Sequence, residues 1–169
     1  MFRDGEYVIY GNNGICRVCG TTTMNIDGIP SNRLYYVLKP DDKKSGTIYA
    51  PVDNKKLVLR RIMTKEEAEE LIRNIPNIEI LEIENDKLRE ESYKECMRTC
   101  DGVELVRIIK TIYVRRNRRL RSGRKSTAVD ERYMKLAEDN LYAELSRLLG
   151  VPKEGMPGYI SEKIRQQEI

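Results

Sequence analysis

The sequence predicts an α+β chain in two parts, a small all-β domain followed by an all-α domain. Up to about residue 60, short β-branched and aromatic runs alternate with Gly, Asn, Asp and Pro clusters. Beyond that point apolar residues recur at three- and four-residue spacing. Helix-start boxes punctuate this second part, beginning with Thr64-Lys65-Glu66-Glu67.

The β elements follow in order. Residues 7–10 form a short strand, and Gly11-Asn12-Asn13-Gly14 is a turn cluster. A second strand is expected over 15–20, and Asp27-Gly28 is a hairpin signal. Residues 34–38 read as a strand buried on both faces, 41–44 as a charged loop, 46–51 as a fourth strand and 57–59 as a fifth. Five strands this short suggest a strongly bent SH3- or Tudor-like barrel over 1–60.

Residues 61–169 are expected to hold four to five helices. The first runs from the Thr64 box to about Arg73, with Pro76 beyond it. A second spans 85–100. A third starts at Asp101-Gly102-Val103-Glu104 and reaches about Arg116, burying Leu105, Val106, Ile109, Ile112 and Tyr113. A fourth is capped at Thr127, with a stripe of Val129, Tyr133, Leu136, Ala137, Asn140, Leu141, Leu145 and Leu148, and stops at Gly150. A last short helix covers 159–165.

Composition narrows the function. There are no histidines, so the commonest general base and metal ligand is missing and an enzyme is not expected. No apolar run approaches the length of a bilayer span, and the first five residues lack a signal-peptide core; a cytoplasmic monomer without a membrane partner is expected. The net charge is +4, but it is concentrated. Arg115, Arg116, Arg118, Arg119, Arg121, Arg124 and Lys125 fall within eleven residues that hold no acid. One or two cations at a helix end offset its dipole. Seven would repel one another without a counter-charge, which points to a polyanion met through phosphate rather than base edges.

Other signals favour structure over chemistry. Cys16-x-x-Cys19 and Cys96-x-x-x-Cys100 have zinc-knuckle spacing. Residues three apart on a strand face opposite sides, however, and the pairs lie in different expected domains; no metal and no cofactor are expected. Tyr7, Tyr10, Tyr35 and Tyr36 could build an aromatic cage, but strand alternation favours core and rim packing.

The ordered series Phe2-x-x-Gly5-Glu6-x-Val8-x-Tyr10, Asn13 to Val18, Tyr35-Tyr36-Val37-Leu38 and Thr47-Ile48-Tyr49-Ala50-Pro51 resembles the CarD/CdnL family of bacterial transcription regulators. The same module resembles the polymerase-interacting domain of transcription-repair coupling factors. The Asp-Gly box, the Arg115-Arg116 helix end and Ala143-Glu144-Leu145 resemble the family's helical domain. The resemblance implies an N-terminal domain that docks on the RNA polymerase β subunit. It implies C-terminal helices that lie against promoter DNA at the upstream edge of the melted region and modulate open-complex stability.

By the same resemblance Met24, Ile48, Tyr49 and Pro51 are the polymerase-binding candidates. Lys87 and Arg89 join the basic cluster as DNA-binding candidates. Family members that activate carry a Trp that wedges at the bubble edge. This chain has no Trp; the matching stretch is 84–89, and Tyr93 is the next aromatic that could replace the wedge. Two alternatives stay open: a Tudor-like nucleic-acid module without polymerase contact, and an adaptor whose basic cluster meets an acidic protein.

Overall fold

The computed structural model describes residues 1–42 and 45–168; Lys43 and Lys44, in the expected charged loop, and Ile169 lie outside the described residues. The chain divides into two compact units, Met1–Ile62 and Met63–Ile169. It is α+β, with a five-stranded antiparallel sheet followed by five α-helices.

The first unit holds β1 (Tyr7–Tyr10), β2 (Ile15–Thr23), β3 (Leu34–Pro40), β4 (Ile48–Pro51) and β5 (Leu59–Arg61). Their order is β4-β3-β2-β1-β5. The sheet is open: the hydrogen-bonded order ends at β4 and β5, so the closed barrel expected from strand number is not formed as a ladder. Val8, Tyr10, Cys16, Val18, Tyr36, Leu38 and Ala50 make the core. β1 turns into β2 through Gly14, whose φ of 68° and ψ of −143° suit only glycine. The register of β2 on β3 shifts between Val18 and Thr21, and β2 runs three residues past the expected end at Gly20. Leu34 is exposed rather than buried, because it begins β3 outside the core cluster. The fifth strand lies two residues later than its apolar run suggests, where Arg60 and Leu59 pair with Ile9 and Tyr10.

The second unit holds α1 (Lys65–Asn74), α2 (Arg89–Arg98), α3 (Gly102–Arg121), α4 (Ala128–Leu149) and α5 (Met156–Gln167). Both halves of the Thr64/Glu67 capping box are present. Tyr93, Ile108, Ile112, Leu141, Leu145 and Met156 are among its fully buried side chains. Gly150 takes a left-handed C-cap with φ 68°.

Several expectations need correction here. The helix expected over 85–100 starts late: Asn85 accepts the Lys87 N–H, a 3-10 turn covers Asp86–Leu88, and only then does α2 begin. The third helix continues five residues past Arg116, since arginines are good helix formers and its buried stripe is not needed for the last turn. Tyr113 and Leu136 are exposed, not buried; Ile108 and Met134 take the core positions instead. At Asp101 the carboxylate accepts from Val103 N–H, a simple cap. The last helix starts three residues before Tyr159, with Pro157 in its first turn.

Candidate functional site

In the first unit the candidate surface is the outer edge of the sheet. β4 pairs with β3 alone in the described sheet, Tyr49 opposite Val37 and Pro51 opposite Tyr35. Strand alternation then sorts the candidates. Ile48 packs against the core and Ala50 belongs to it, so Tyr49 and Pro51 point the other way. Tyr49 is 46% exposed. Leu34 and Ile26 are exposed as well, and Met24, half-buried, lies one residue beyond β2. β4 is thus a strand edge that carries the exposed Tyr49, the arrangement that accepts an added strand, while Met24 and Ile26 follow β2 on the far side of β3. Pro51 lacks an N–H and is tolerated because β4 is an edge.

In the second unit the basic run divides. Asp130 is fully buried in the first turn of α4. Its Oδ1 accepts the Tyr93 hydroxyl at 2.9 Å, and Arg115 Nε lies 2.9 Å from its Oδ2. Arg115 Nη1 reaches Asp86 Oδ1 at 3.0 Å, and Arg89 Nε and Nη2 reach the same oxygen at 3.2 and 3.0 Å. Arg89 Nη1 donates to the Tyr93 hydroxyl at 3.3 Å, which closes a ring of five side chains. The Arg89 and Arg115 guanidiniums hold the Asp86 carboxyl below the ordinary carboxylate range. Burial pushes the Tyr93 phenol up.

Arg116 is paired with Glu131 at 2.8 Å, and Arg119 Nε donates to the Lys125 carbonyl at 2.8 Å. Arg118, Arg121, Arg124 and Lys125 are exposed, and none meets an acidic side chain among the described residues. Lys87 is exposed on the turn before α2. So Arg89, Arg115 and Arg116 are committed to ion pairs within the unit, while five cations face outward.

These placements meet one outside finding. The family model described as CarD-like/TRCF RID domain matches residues 2–63. Over those residues the chain is similar to CarD-like/TRCF RID domains. That family is one of transcription-related domains that interact with RNA polymerase. No curated protein matches the chain. The motif residues that carry this similarity have visible jobs. The Phe2 ring meets Tyr36 edge-on at 5.7 Å, and the Phe2 N–H donates to the Tyr36 hydroxyl at 3.1 Å. Gly5 N–H and Val18 N–H tie the N-terminal turn to β2 through Val18 O and Glu6 O. Tyr10, Tyr35 and Tyr36 are buried, which leaves no open cage between them and Tyr7.

One further sequence candidate is placed elsewhere than its role requires. Tyr93 is fully buried with its hydroxyl engaged, so it is not an exposed replacement for a wedge. All four cysteines are free thiols. Burial pushes Cys16 up to about 11 and Cys96 up to about 12, so neither is held as a thiolate. Among the described residues no three His, Cys, Asp or Glu side chains are grouped to hold a metal, and no helix is long and apolar enough to cross a membrane.

The sequence reading missed Asp130, Asp86 and Glu144 as structural acids. Glu144 is buried and accepts the Met63 N–H at 2.7 Å. It also missed Lys110, whose ammonium caps the carbonyls of Ile75 and Ile78 after α1. Asp130 had a signal: it stands at the third helical position after the Thr127 cap, on the side of α4 that also carries Tyr133 and Met134.

Proposed function

We propose that this chain is a non-enzymatic regulator of transcription that binds the RNA polymerase β subunit with its first unit and promoter DNA with its second. The CarD-like/TRCF RID match over 2–63 carries the reading. The β4 edge, with Tyr49 outward and Pro51 two residues along it, is the docking surface for the β subunit, and Ile48 supports it from the core side; Met24, just past β2, is separated from β4 by β3 and is not part of that edge. An added strand would supply backbone hydrogen bonds and the exposed Tyr49 would select the partner.

Arg118, Arg121, Arg124, Lys125 and Lys87 meet phosphates, with no aromatic among them to stack on bases. Tethering these cations next to polymerase places them at the upstream edge of the bubble, where they alter open-complex lifetime. No cofactor enters this mechanism, and it operates as a monomer in the cytoplasm.

Capture of partners by the full chain from lysate, with and without nuclease, tests the proposal. Polymerase retained after nuclease, and lost with Tyr49→Glu, is the expected result. Loss of every partner on nuclease treatment favours a nucleic-acid module. A retained acidic protein other than polymerase favours an adaptor.

A further inference from the structure

Asp86 stands out in the five-membered ring. It sits on the 3-10 turn before α2 and its side chain is 76% exposed, whereas Arg89 and Arg115 are 15% and 19% exposed. One carboxylate oxygen takes three N–H donors: two from Arg89 and one from Arg115. Each guanidinium is also oriented from the inside without Asp86. Arg115 forms an ion pair with the buried carboxylate of Asp130, Nε 2.9 Å from Oδ2 but without hydrogen-bond geometry, and Arg89 donates to the Tyr93 hydroxyl. Two fixed guanidiniums therefore converge on one point at the surface, and an exposed carboxylate occupies it.

We propose that this point is a binding site for a phosphodiester, and that Asp86 is an internal competitor that fills it in the free protein. The inference rests on the reading of the second unit as a phosphate-binding surface. A phosphodiester carries the same single charge as the carboxylate but spreads its acceptor oxygens tetrahedrally. It can take the Arg89 fork on one non-bridging oxygen and Arg115 on the other, instead of loading one oxygen three times. Two arginines and two aspartates make the ring neutral, so it contributes nothing to attraction while Asp86 is seated. When Asp86 swings out, one positive charge is exposed beside Lys87. The competitor keeps the chain's own affinity for arbitrary DNA low and leaves the site to a phosphate already brought close by tethering.

The test is titration of a short duplex with the full chain over a salt series. Asp86→Asn keeps the size of the side chain and removes its charge. It is expected to bind more tightly and to steepen the slope of log K against log salt by about 0.9, the value of one phosphate. Glu84→Gln removes an exposed charge two residues away and is expected to leave the slope as it is. Equal effects of the two variants, or no steepening by Asp86→Asn while the native chain binds, overturn the inference and leave the wider reading standing. If neither native chain nor Asp86→Asn binds duplex at low salt, the phosphate reading of the second unit falls too. A second measurement needs no variant. The Nε–H signals of Arg89 and Arg115 in the native chain are expected to shift at saturating duplex; unmoved signals overturn the site even if Asp86→Asn folds poorly.

Discussion

Arg115 and Arg121 stand on the same helix, six residues apart, in a run that looks uniform as sequence. Arg115 is 19% exposed and bridges a buried and an exposed aspartate. Arg121 is exposed with no acidic partner among the described residues. The difference lies in what surrounds each position on the helix. The inner side of α3 at Arg115 faces the start of α2 and the first turn of α4, where Asp86, Tyr93 and Asp130 gather. Two turns later the helix has passed both neighbours. The number of basic residues in the run therefore overstates the charge available to a partner, and the packing of three helices decides which cations are free.

The sharpest way to break this comparison is to remove the buried acid. Asp130→Ala leaves Arg115 facing a dry cavity with one exposed partner, and Tyr93 without its acceptor. Losing one partner of a buried pair costs about 3–5 kcal/mol, and chemical denaturation is expected to show a loss of that size. A change below about 1 kcal/mol would mean that the ring does not hold the helices together.

The converse variant touches only the outer cations. Replacing Arg118, Arg121 and Arg124 by Ala is expected to change stability by no more than about 0.5 kcal/mol per site. It should flatten the salt slope of duplex binding by up to about 0.9 for each phosphate that is no longer neutralised. Affinity should fall similarly on unrelated sequences. A sequence-selective fall would point to base readout in place of phosphate.

β4 offers the same contrast over two adjacent residues. Ile48→Ala opens the core of the first unit and is expected to cost about 2 kcal/mol. Tyr49→Glu should leave the melting temperature close to native, yet lower affinity for the polymerase β subunit by roughly thirtyfold, a typical hot-spot effect of about 2 kcal/mol. If Tyr49→Glu unfolds the unit instead, the tyrosine faces the core and the docking edge is wrongly placed.

What could be read in the sequence divides along the same physical line. Strands β1 and β4, the Thr64 box and the Gly150 stop were visible because each depends on neighbours within a few residues. The five-stranded count was visible, but the open ladder was not, since closure depends on which edges meet. Arg115 could not be told from Arg121 because its partners lie 29 and 15 residues away in sequence, at Asp86 and Asp130. Tyr113 has surroundings opposite to those its helical spacing suggests, exposed where a buried stripe was expected. Helical period places a residue on a face but does not say which face a third helix covers.

The smallest expected effect concerns the turn that carries Asp86. The resemblance implies that activators of the family usually carry a Trp in this stretch, and here Asn85-Asp86-Lys87-Leu88 stands instead. A Trp at Asp86 would also break the ring, so Lys87 is the cleaner position: its side chain is exposed and only its backbone N–H is used, by Asn85. A flat ring at a duplex edge gains about 1–3 kcal/mol by stacking on a base. Lys87→Trp gives up one cation of the proposed phosphate-binding set, which offsets part of that gain. The net expectation is an open complex that lives up to about tenfold longer, since tenfold corresponds to about 1.4 kcal/mol on that stacking scale. Competitor-challenge kinetics on a single promoter measure it, with the native chain and a Trp-bearing relative alongside. A native chain that already matches that relative, with no gain from Lys87→Trp, would mean that stacking at this turn is not what sets the lifetime. The exposed Leu88 on the same turn would then be the next side chain to replace.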